Sequence, residues 1–143
     1  MAPPQIDAPA SFVPQQAIAF GPSGGQAVAV DAGNPLPIVA RPVAALSVPL
    51  AGSANASGLI GPFVPELGRA IWLTLAGSWT GTVTVKRSVD GGATQQGLTI
   101  AGASWAVFSA NANEPVAEES EAAARYYLDV ALTSGTLAYR VAQ

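Results

Sequence analysis

The chain has 143 residues, nine acidic and six basic side chains for a net charge of −3, and is half hydrophobic while only a tenth of it is charged. That length holds one domain with an extension, and the acidic balance argues against a nucleic-acid binder, which needs a basic face. Histidine and cysteine are both absent, which removes the usual general base, the usual partner of a serine nucleophile, thiolate metal sites and disulfides. So little charge on so apolar a chain fits a surface that partners cover. Met1-Ala-Pro-Pro-Gln5 shows no basic region leading into an apolar core, so no signal peptide is expected. The uncharged window Pro42–Pro65 is broken by four prolines and three glycines. It does not read as a transmembrane helix, and the sequence reads as a soluble protein without a membrane partner.

Residues 1–65 read as an extended arm. Eleven of the twelve prolines precede Glu66, and the only charges there are Asp7, Asp31 and Arg41. Proline fixes φ and removes a donor, so no helix of useful length fits between them. Gln26-Ala-Val-Ala-Val30 alternates enough for a short strand but not for a sheet of its own. Asn34-Pro-Leu-Pro37 is a turn followed by an extended piece. A solvating tail is polar, whereas this segment carries Phe12, Ile18, Phe20, Leu36, Ile38, Leu46, Leu50 and Phe63. Those eight side chains are the expected anchors of an arm that lies along another protein surface. Asn55-Ala-Ser57 matches a glycosylation pattern by chance, and Ser53–Gly58 reads as a flexible link of small residues.

Residues 66–143 read as a β domain. Ile71, Leu73 and Leu75 alternate with Trp72, Thr74 and Ala76 as a first strand, and Gly77-Ser-Trp79 is read as the turn into a second, Thr82–Ser88. Asp90-Gly-Gly92 supplies residues that tolerate positive φ, so the chain reverses there. Gly97–Ile100 pairs back, Ala101-Gly102 turns, Ser104–Ser109 forms the next strand and Asn111–Pro115 breaks it. Glu118–Ala124 has helix formers enough for one turn. Arg125–Leu132 and Thr136–Ala142 are the last strands, joined by a tight turn at Ser134-Gly135. Six or more short strands with short turns predict an all-β fold, a small antiparallel sandwich or barrel of jelly-roll or immunoglobulin-like type.

Three groups of residues carry candidate chemistry. Ser88-Val-Asp-Gly-Gly-Ala-Thr94 resembles the Asp-box hairpin of sialidase-type propellers, with Gln95 where that pattern has an aromatic residue. In those families the turn is structural, so the resemblance implies a hairpin and no glycosidase. Glu114, Glu118, Glu119 and Glu121 place four carboxylates within eight residues. Their spacing lacks the pattern of a calcium loop. A solvated loop is the expectation, or pairing with Arg69, Arg87 or Arg125 of a neighbouring subunit. Trp72, Trp79 and Tyr127 are the expected exposed aromatics, while Trp105 and Tyr126 fall on faces that look core-bound. Burial against the core or another subunit outweighs a sugar-stacking platform. No catalytic, cofactor or metal-binding residue is assigned.

The region Trp72–Gln143, through Arg87-Ser-Val-Asp-Gly-Gly92, Glu118-Glu-Ser-Glu121 and Thr133-Ser-Gly-Thr-Leu-Ala-Tyr-Arg140, resembles small virion proteins of tailed bacteriophages and related prophage particles. Asn34-Pro-Leu-Pro-Ile38 is similar to segments of such proteins. The resemblance implies a non-enzymatic structural role, decorating a capsid or attaching a fibre or spike, in a virion assembled in the host cytoplasm. Its implied partners are other capsid or tail subunits and further copies of itself, a trimer being the favoured count. The alternative is a receptor- or carbohydrate-binding module of a tail fibre or baseplate.

Overall fold

The computed structural model describes residues 19–20, 28–33, 35–36 and 43–143. It falls into two units, Met1–Pro42 and Val43–Gln143. In the first, β1 (Ala19–Phe20) pairs antiparallel with β2 (Val28–Ala29), so the alanine–valine stretch does find a partner strand of its own. Phe12, Ile18 and Ile38 lie outside the described residues, as does the side chain of Phe20.

The second unit is all-β and antiparallel: among the described residues there is no helix, including at Glu118–Ala124, where one turn was expected. Its frame is a ribbon of two long strands, β5 (Ala70–Ser88, 19 residues) and β11 (Arg125–Ala142, 18 residues). They pair along nearly their whole lengths, from Arg125↔Ser88 to Ala142↔Trp72. The Gly77-Ser-Trp79 and Ser134-Gly135 turns read from sequence are therefore absent, and these residues lie inside the strands. Their glycines still mark a local event. Gly77, Gly81 and Gly135 have φ of 107°, 139° and 89°, and a Cβ on Gly77 would sit 2.5 Å from the Thr136 carbonyl oxygen. The register also shifts between Leu132 and Ser134, a bulge that places an extra residue on β11. Glycine and a bulge inside a strand bend it rather than reverse it.

The bulge sets the phase of the core. In β5 the side chains of the apolar cluster are all odd-numbered: Ile71, Leu73, Leu75, Val83 and Val85. In β11 the cluster members are Tyr126, Leu128 and Val130 before the bulge but Leu137 and Val141 after it. Val130 faces Val83 and Val141 faces Leu73, so the extra residue keeps one face of the ribbon apolar throughout.

Two broken strand paths flank this ribbon. Along β11 run β3 (Leu50–Ala54) and β4 (Gly58–Phe63), from Leu50↔Val141 to Phe63↔Tyr126. Along β5 run β6 (Gln96–Gly97), β9 (Val107–Phe108) and β10 (Ala112–Glu118). Between β6 and β9, β7 (Thr99–Ile100) and β8 (Ala103–Ser104) form a separate hairpin through the expected Ala101-Gly102 turn. The stretch read as one strand, Ser104–Ser109, is thus split, and Asn111–Pro115, read as a breaker, mostly belongs to β10.

Chain connectivity then requires the ribbon to fold back on itself. Residues 64–69 join Phe63, level with Arg87, to Ala70 at the other end of β5. Residues 119–124 likewise join Glu118, level with Ala70, to Arg125, level with Ser88. A straight ribbon would separate those ends by roughly 55–60 Å at about 3.3 Å per residue. Six linking residues span at most about 25 Å. The two halves accordingly share one apolar cluster that includes Ile71 and Leu73 from one half and Val85 and Leu128 from the other.

The sheet also corrects the expected boundary at residue 65. Phe63 is 1% exposed at the centre of the core, and Leu50 and Ile60 pack against it. Phe63 and Leu50 are therefore core residues of the β unit, not anchors on a separate arm. The supposed Ser53–Gly58 link holds the end of β3, the start of β4 and a connection of residues 55–57, with Ser57 Oγ accepting from the Leu132 amide at 2.9 Å. No helix of the described residues is long and apolar enough to cross a membrane.

Candidate assembly surface

The carboxylate run resolves into one structural residue and its neighbours. Glu119 is buried, and its Oε2 and Oε1 accept from Arg87 Nε at 2.6 Å and Nη2 at 2.9 Å. It also accepts from the Tyr126 hydroxyl at 2.9 Å and from the amides of Ser120 and Glu121 at 2.9 and 2.8 Å. The Arg87 guanidinium holds the Glu119 carboxyl down to about 2, outweighing the opposing effect of burial. Glu119 in turn raises Arg87 above its ordinary value, and burial pushes the Tyr126 phenol up to about 12 with help from the same carboxylate. Glu121 reaches Arg87 at 3.1 Å, while Glu114 and Glu118 are exposed on β10. The pairing expected with a neighbouring subunit's arginines is met within the chain instead. Arg69 pairs with Glu66 at 2.9 Å and Arg125 donates to the carbonyls of Ala122 and Ala124. No cluster of metal-ligating side chains occurs among the described residues.

The Asp90 turn is self-contained. Thr94 donates its amide and its hydroxyl to the Asp90 carboxylate, and Ser88 Oγ accepts from the Gly92 amide at 2.9 Å. The Thr94 hydroxyl, then its amide and Ser88, hold Asp90 well below the usual carboxylate range. It connects β5 to β6.

The three candidate aromatics do not share a surface. Trp72 is exposed, but Trp79 is half-buried against the core with Nε1 donating to Asn111 Oδ1 at 2.8 Å. Tyr127 is buried, although the alternation puts it on the outer face. Its ring is covered by backbone: a Cβ on Gly61 would meet the ring at 2.7 Å, and one on Gly92 would meet its hydroxyl. No periodicity reports burial of that kind. Trp105, expected in the core, is 38% exposed and donates from Nε1 to the Val116 carbonyl at 2.9 Å.

Exposed apolar side chains also gather along the flank of β3 and β4, where the two most exposed of them lie. Between Val43 and Pro65 there is no charged residue. Leu46 and Val48 are 86% and 82% exposed, and Val43, Leu59 and Val64 are exposed too. Leu46, Val48, Pro49, Leu50, Pro62 and Val64 line a shallow groove. Glu66 fixes its rim by accepting from the amides of Leu46 and Ser47, and Gln143 ties Glu66 to Arg69 through their carbonyls. Ser47 Oγ is buried there without a hydrogen-bond partner among the described residues, an uncommon condition for a buried hydroxyl. Of the eight expected anchors, Leu46 and Leu36 are exposed, and Leu46 belongs to this strip.

No protein-family model, no curated protein and no solved structure matches this chain.

Proposed function

We propose that the chain is a non-enzymatic structural protein that joins a larger particle through its uncharged flank and the segment before it. The virion of a tailed bacteriophage, by the resemblance above, is the particle we propose, and capsid decoration is the task. In this reading the folded-back ribbon is a small β-sandwich, and its partners are capsid or tail subunits together with further copies of itself. The observation that carries the reading is the exposure of Leu46 and Val48 within 23 consecutive uncharged residues, Val43–Pro65. A free-standing surface of this kind favours association, and proteins ordinarily keep such patches small. Exposed Trp72, next to Pro115 and Ala142 on the sheet, is the feature that favours the alternative, a carbohydrate-binding module.

Leu46→Asp with Val48→Asp tests the reading, because both side chains already face solvent and the fold tolerates the change. The double variant should melt as the parent does but be depleted from purified particles. Incorporation at parental copy number would overturn the assignment. A glycan array decides the alternative, with binding lost in Trp72→Ala as its signature.

A further inference from the structure

The two edges of the main sheet are built differently. On the β5 side, β10 carries Glu114, Pro115 and Glu118, and charge or proline on an edge blocks pairing with another chain. On the β11 side, β4 contains Pro62 and meets β11 through a register shift between Tyr126 and Leu128. Among the described flanking strands longer than two residues, only β3, Leu-Ala-Gly-Ser-Ala, has neither charge, proline nor bulge. Its inner neighbour is β11, and nothing pairs with its outer edge among the described residues. Ala51 and Ser53 are exposed and lie opposite Arg140 and Ala138, whereas Gly52 lies over the Tyr139 ring.

We propose that β3 pairs antiparallel with β3 of a second copy, about a two-fold axis near Gly52, and so extends the sheet across a dimer. The inference rests on the association reading above and specifies one of its contacts. A second copy is the occupant that the charges favour. The chain is acidic, and contact through β10 would set Glu114 and Glu118 against a like-charged neighbour. The β3 edge brings no carboxylate to the contact. Antiparallel pairing about a two-fold axis is self-complementary, placing Ala51 beside the partner's Ser53 and Leu50 beside the partner's Ala54. The apolar Leu46 and Val48 side chains, just before the strand, add area to what a five-residue pairing alone would bury.

The test is the mass of the full chain in solution by sedimentation equilibrium over a wide concentration range, starting from the 14.3 kDa of one copy. A reversible dimer is expected, with amide exchange in Leu50–Ala54 slowing as concentration rises. Ala51→Glu, whose new carboxylate faces Arg140 of its own chain, should keep the melting temperature and weaken dimerisation at least tenfold. Ser53→Glu is the second variant, and Glu114→Gln on the opposite edge should leave the dimer unchanged. A monomer at every concentration, a trimer, or a dimer indifferent to both edge variants overturns the proposal. Particle incorporation separates this inference from the functional reading. An edge variant that is monomeric yet incorporated leaves β3 pairing intact as a solution property and dispensable for attachment. A dimeric protein that never enters a particle would remove the functional reading alone.

Discussion

Arg87 Nε lies 2.6 Å from Glu119 Oε2, and this contact closes the folded ribbon. Arg87 is near the end of β5, while Glu119 follows the residue that pairs with Ala70 at its beginning. The Gly68 amide donates to the Glu119 carbonyl at 2.8 Å, so both crossing segments meet at one residue. A buried carboxylate with five donors is costly to disturb, because removing its charge leaves a cation and a phenol poorly paired. Glu119→Gln should destabilise the protein by about 2–4 kcal/mol in urea unfolding. Glu121→Gln, at an exposed pair with the same arginine, should cost under about 1 kcal/mol.

Acid should unfold the protein through the same residue. The folded-state value of Glu119 lies near 2, below its ordinary 4.5. Its contribution is therefore complete above about pH 4.5 and is lost as pH falls through about 2. Asp90 is shifted in the same direction and adds to the loss. In the alkaline range Tyr126 works in the opposite sense. Its value is raised to about 12, so its contribution is complete below pH 10 and fades as pH rises toward 12. Urea midpoints across pH should show a flat top with a fall at each end. The acid fall should be shallower in Glu119→Gln and the alkaline fall shallower in Tyr126→Phe.

The faces of the strands were legible in the sequence, and their lengths were not. Alternation placed Ile71, Leu73, Leu75, Val83 and Val85 on the buried side, where they are. Gly77 and Gly135 misled because the freedom that lets glycine turn a chain also lets it bend a continuous strand. Which happens depends on whether the partner strand keeps pairing through that point, a long-range fact. Leu-Ala-Gly-Ser-Ala has too little side chain to read as a strand, and β11 supplies its backbone partners from over 80 residues away. The Arg87–Glu119 pair was similarly hidden by a separation of 32 positions along the chain. The anchors Leu46 and Leu50 illustrate the remainder. Both are apolar and four residues apart, yet only the sheet decides that one packs inward and the other is left out.

The bend makes its own prediction. Gly77→Ala places a methyl group 2.5 Å from the Thr136 carbonyl oxygen at a φ of 107°, where side chains are strained. Neither the backbone contact nor the dihedral can relax without breaking the β5–β11 pairing. A loss of more than about 2 kcal/mol is expected. Gly97→Ala meets nothing within 4 Å and should be within about 0.5 kcal/mol of the parent. Equal melting temperatures for the two variants would show that the ribbon is not bent at Gly77.

Truncation distinguishes the unit seen in the structure from the boundary suggested by proline content. Removing Met1–Pro42 deletes no strand of the second unit, and the remaining Val43–Gln143 should fold cooperatively. Removing Met1–Pro65 deletes β3 and β4 together. It strips backbone partners from both halves of β11 and takes Phe63, Ile60 and Leu50 from the core. Loss of one large buried side chain such as Phe63 costs about 3–5 kcal/mol by itself, comparable with the whole stability of a small domain. Leu128, Val130 and Val141 would also lose the strands beside them. The longer deletion should therefore give a chain without a cooperative melting transition, while the shorter gives a sharp one. A folded Glu66–Gln143 fragment would mean that β3 and β4 are dispensable additions to the edge of β11.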